Sequence, residues 1–110
     1  MSQFELFCMV FYVLDAQWDE TKDPGLGEYL SSANPFLFTD IGSADPDVFL
    51  QFCERTEKTI PLENSYWTAC NYVKSLEDDS LARAFSRIDE KEWIACVMEY
   101  LAQPHKGGEN

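Results

Sequence analysis

Side chains able to do chemistry are present in this chain, but their spacing assembles no reaction. General acid–base catalysis usually recruits histidine, and the single one, His105, falls in a polar, Gly-rich tail that nothing in the sequence fixes. A cysteine nucleophile needs a base and an orienting group. Cys8, Cys53, Cys70 and Cys96 each sit inside an apolar stretch without such companions. None belongs to a Cys-x-x-Cys pair and no histidine stands at zinc-ligand spacing. They read as reduced, buried thiols acting as small hydrophobes, the usage of a cytoplasmic protein. The 20 carboxylates contain pairs by chance at that density, and no spacing singles one out as a glycosidase-type pair. A calcium loop started at Asp19 meets Thr21 and Asp23 and then fails, with Pro24 where glycine belongs and Leu30 where the closing glutamate belongs. Neither an enzyme activity nor a metal or cofactor is expected.

What does stand out is where the acids lie. Residues 1–54 carry ten of them against one base, Lys22, whereas the rest of the chain has ten acids against seven bases, for a net charge of -12. Such a field repels nucleic-acid phosphates and anionic lipid heads and draws in basic surfaces. Asp15, Asp19, Glu20 and Asp23 cluster around Trp18, an aromatic of the type that anchors interfaces. Together with Glu28, Asp40, Asp45 and Asp47 these form the candidate partner-binding residues. An acidic loop kept for solubility is the competing account, but a merely soluble surface mixes both signs. Asn34-Pro35-Phe36 matches the tripeptide that EH domains recognise. Such a ligand needs an exposed, flexible setting, and here the tripeptide reads as a helix stop followed by core packing.

The elements that position these residues are helical. Ser2 and Glu5 make a capping box ahead of a Gly- and Pro-free stretch, predicting a central helix over about 3–17 with Phe4, Phe7, Cys8, Phe11, Leu14 and Trp18 at three- and four-residue spacing. A buried strand over Leu6–Leu14 is the alternative for so short an apolar run. Residues 19–27, ending in Asp-Pro-Gly and its sequel, read as a loop. Glu28–Ala33 reads as a short helix stopped before Pro35. Phe36-Leu37-Phe38 is expected to tuck into the core. Asp45-Pro46 opens a helix to about Arg55, and Pro61 opens another to about Glu77. Asp79 or Ser80 caps a short helix carrying Leu81, Ala84, Phe85 and Ile88. The Asp89–Glu92 capping box starts a last one from about residue 90, ended by Pro104.

The chain therefore reads as all-α, with five to six short helices in an irregular or orthogonal array. Residues 1–103 form a single domain, and 104–110 a flexible polar tail. At 110 residues and 45% hydrophobic it has material for one core. The start is acidic where a secretory signal would be basic. The longest apolar run, Leu6–Leu14, is about half of the ~20 residues a membrane span requires.

A small acidic helical domain of this kind resembles the immunity proteins that bacteria make against their own nuclease toxins, which cover the active site of a basic enzyme or a surface beside it. The resemblance is one of overall character along the whole chain rather than of a motif. It implies stoichiometric inhibition of a basic protein partner, such as a cognate toxin, by tight binding without a cofactor. A non-inhibitory adaptor or structural subunit docking on a basic partner is the alternative.

Overall fold

A computed structural model describes residues 1–108. Six helices run along them: α1 (Gln3–Thr21), α2 (Pro24–Ala33), α3 (Pro46–Arg55), α4 (Leu62–Ser75), α5 (Asp79–Phe85) and α6 (Glu90–Ala102). The only β pairing among the described residues is an isolated bridge between Ser2 and Thr59, so the Leu6–Leu14 strand does not form.

The capping box at Ser2 forms as expected, with the Glu5 backbone N–H donating to Ser2 Oγ at 3.1 Å and the Ser2 N–H donating to the Glu5 carboxylate at 2.8 Å. α1 is apolar almost all round because it runs through the centre of the molecule. Every residue from Phe4 through Leu14 is buried apart from the half-buried Glu5 and the exposed Tyr12. The helix packs against α2, α3, α4 and α5. Phe7 meets Phe49 and Phe52 of α3 edge to face at 5.2 and 5.1 Å, and Phe52 meets Tyr72 of α4 at 4.6 Å. Edge-to-face contacts of this kind add to the apolar area that the rings bury.

The loop expected over 19–27 shrinks to two residues. α1 continues to Thr21 and closes on Lys22 in the left-handed region (φ 53°). Asp23 then caps α2 by accepting from the Gly25 N–H at 2.9 Å, with Pro24 in the first turn. The Asp-Pro pair here is a helix start of the same kind as Asp45-Pro46, whose Asp45 side chain accepts from the Asp47 N–H at 3.1 Å. The two glycines serve close approach rather than a turn. A Cβ on Gly25 would lie 2.8 Å from Ser80 Cβ of α5, and one on Gly27 3.1 Å from Trp18 Nε1 of α1.

α5 begins one residue earlier than expected, with Asp78 as its cap. The Asp89–Glu92 capping box of α6 is present. α6 locks onto α4 through Trp93, whose buried Nε1–H donates to the buried Ser65 hydroxyl at 2.8 Å, while that hydroxyl donates to the Leu62 carbonyl at 2.7 Å. No helix of the described residues is long and apolar enough to cross a membrane.

Candidate functional site

The candidate acids divide among several places. On α1, Asp15, Trp18 and Asp19 share a face by their spacing of three and four, and Glu20 points elsewhere. Trp18 is half-buried and packs against the core. Its ring lies against Gly27, and the Lys22 ammonium sits 4.0 Å from the ring centroid. Lys22 also pairs with Asp19 at 3.7 Å. Asp23, besides capping α2, accepts from Ser80 Oγ at 3.3 Å and faces the Arg83 guanidinium at 3.6 Å. Asp23 and Asp45 thus serve the fold as caps. Glu28 joins Asp78 on a cleft of about 370 Å³ whose other walls include Tyr29, Val48 and Leu81. Asp40 lines a separate groove of about 290 Å³ with Phe38, Ile41, Pro46, Phe49 and Leu50, and Asp45 and Asp47 flank Pro46 in the chain.

That groove adjoins the triplet expected in the core. Phe36, Leu37 and Phe38 are not tucked into the core: Leu37 is 60% and Phe38 61% exposed, and Ile41 (54%) and Leu50 (57%) stand out beside them. The cause is the way residues 34–45 are tied. Pro35 is buried, the Asn34 side chain accepts from the Phe36 N–H at 2.8 Å, and the Ala44 N–H donates to the Asn34 carbonyl at 2.9 Å. With both ends drawn together over α1, the loop projects its tip outward. Phe36 instead lies over Tyr12, stacked at 5.4 Å. The core-packing expectation for Asn34-Pro35-Phe36 holds for Pro35 and fails for Phe36, while the tied loop denies the tripeptide a flexible setting. A sequence signal did exist: the apolar residues of 36–41 follow neither a period of two nor one of 3.6, so no regular element could turn them inward.

The C-terminal segment is anchored as well. His105, expected in an unfixed tail, places Nε2 2.7 Å from the Glu5 carboxylate and Nδ1 2.6 Å from the Gln103 carbonyl, with its ring 4.3 Å from Tyr100. Burial pulls the His105 pKa down, but the hydrogen bonds to Glu5 and Gln103 and the Glu5 charge outweigh it and leave the imidazole above its ordinary value. Burial likewise pushes Glu5 up, and the Ser2 N–H and His105 more than offset that, holding the carboxyl below its ordinary range. The Lys106 ammonium donates to the carbonyls of Pro35 and Phe38 at 2.5 and 2.6 Å. Gly107 turns with φ +81° against the Phe4 ring, where a side chain would collide. Glu109 and Asn110 lie outside the described residues.

The cysteines are free, but they are not uniformly buried. Cys8 is buried, Cys53 and Cys70 are half-buried, and Cys96 is exposed, a correction to the expectation of four core thiols. Cys96 lies on the solvent side of α6, away from the buried Trp93 and Val97. Burial pushes the Cys8 thiol up to about 12, the reverse of nucleophilic activation. Among the described residues, no three His, Cys, Asp or Glu side chains converge in a way that could hold a metal ion. No family model, curated protein or solved structure matches the chain.

Proposed function

We propose that this chain is a cytoplasmic protein-binding domain whose ligand is a basic protein. In its specific form, the domain blocks that partner stoichiometrically, as an immunity protein does a bacterial nuclease toxin. The observation that carries the reading is charge left uncompensated: no lysine or arginine occurs between Lys22 and Arg55. Of the nine candidate residues only Asp19 and Asp23 make an ion pair among the described residues. An excess of negative charge of this size repels itself even when spread over several places, and a basic surface relieves that cost.

The test is the association rate with the protein that copurifies from the native host. The rate should fall as ionic strength shortens the Debye length from ~30 Å at about 0.01 M to ~10 Å at about 0.1 M. Reversing Asp15, Asp19 and Glu20, which cap no helix, should slow it further without altering the fold. Truncating Trp18 should act on the off-rate if the exposed part of the ring is an anchor. Growth rescue of cells expressing the partner separates the blocking form from a docking one. Binding indifferent to both salt and charge reversal would refute the proposal.

A further inference from the structure

We infer that the groove between the 36–42 loop and the start of α3 receives an apolar side chain from a partner segment that carries Lys or Arg beside it; the inference rests on the basic-partner reading above. Phe38, Ile41 and Leu50, each more than half exposed, rim the groove. Its volume of about 290 Å³ falls at the lower edge of the ~300–1,000 Å³ of small-molecule sites, a space for one large side chain rather than for a cofactor. The polar contribution at the rim is acidic. Asp40 lines the groove and makes no hydrogen bond or ion pair among the described residues. Asp45 and Asp47 bracket Pro46, and the one base near the groove, Lys106, is not among the lining residues and spends its ammonium on the Pro35 and Phe38 carbonyls.

Charge also decides between occupants. A second copy would bring the same acidic rim against its own, and an anionic membrane would meet the same repulsion, whereas a basic segment gains from both the apolar seat and the carboxylates. The seat is held in place beforehand. The Asn34–Ala44 hydrogen bond closes the loop, and Ser43 Oγ bonds the Asp45 carbonyl and accepts from the Phe49 N–H at 3.0 Å. Lys106 clamps the carbonyls of Pro35 and Phe38. A site already in its bound shape spends less on ordering when its ligand arrives.

The experiment is a titration of the 15N-labelled protein with a short amphipathic Leu/Lys peptide, followed by amide shifts at about 0.01 M salt. A Ser/Lys peptide and a Leu/Glu peptide serve as controls. The expected result is shifts concentrated in residues 36–50 with Leu/Lys and at least about tenfold weaker binding with either control. Phe38→Ser and Leu50→Ser, both at solvent-facing positions, should each lower affinity by about tenfold with the circular dichroism unchanged. Asp40→Lys should act in the same direction. If the Leu/Lys peptide binds along Asp15–Asp23 and ignores Leu50→Ser, the groove is overturned while the basic-partner reading stands. If neither Lys-bearing peptide binds, both fall. A dimer in sedimentation that Leu50→Ser dissolves, or binding to phosphatidylglycerol vesicles lost in the same variant, would also overturn the inference.

Discussion

A thiol reacts through its thiolate and only where a reagent reaches it, so burial ranks the four cysteines. Cys96, on the open side of α6, should be labelled by maleimide first. Cys53 and Cys70, whose pKa values burial raises, should lag, and Cys8 should label only as the protein unfolds. Intact mass spectrometry against time checks the order, and prompt labelling of Cys8 would contradict its burial. The Glu5–His105 pair makes a second prediction at this scale. A raised histidine pKa contributes stability that is full below the ordinary value of 6.5 and is lost as pH climbs through the higher folded value. A lowered carboxyl pKa contributes stability that is full above 4.5 and is lost as pH falls through the folded value. The pair is therefore strongest between about pH 4.5 and 6.5. His105→Gln should lower the melting temperature more at pH 5.5 than at pH 9; an equal loss at both would mean that charge plays no part. The sequence could not show this pair, because its members lie 100 positions apart and neither sits in a local pattern that predicts the other.

Helix ends were the most readable elements, since a cap is written within four residues. Ser2–Glu5, Asp45-Pro46 and Asp89–Glu92 each formed where the spacing put them. Asp23-Pro24 carries the same signal, yet the glycines at 25 and 27 made the stretch look like a turn. What they permit is the close packing of α2 on α5 and α1, visible only once those helices are placed. Packing between elements makes a further prediction. Ser65 is a buried polar residue in the apolar face of α4, and it accepts the indole N–H of Trp93. Ser65→Ala should leave that donor unpartnered and destabilise the domain by about 1–3 kcal/mol. Urea unfolding measures the loss, and a variant as stable as the parent would mean that the indole finds another acceptor.

At the scale of the whole molecule the net charge of -12 governs. Only three ion pairs occur among the described residues; Lys22–Asp19 is exposed on both sides and Arg83–Asp23 on its arginine side, and exposed pairs contribute ~0–1 kcal/mol each. Repulsion among the remaining carboxylates outweighs them, so added salt should raise the melting temperature between about 0.01 and 0.1 M, where screening sets in. A fall over that range would show that attractive pairs dominate. This scale was half legible. Composition and charge indicated one acidic domain, the capping signals and apolar spacing an all-α one, and the six helices confirm that class. The exposure of Phe36-Leu37-Phe38 was masked by the ordinary rule that such residues go inside, which fails where a loop is tied at both ends.

The clamp on that loop has a consequence in time. Lys106 follows Pro35 by 71 positions, and at ribosomal rates of ~5–20 residues per second the ammonium reaches its carbonyls roughly 4–14 s after Pro35 is made. For that interval the triplet rides on a segment held by its own hydrogen bonds and by the seating of Phe36 on Tyr12 and Phe11, and the last residues of the chain complete its hold.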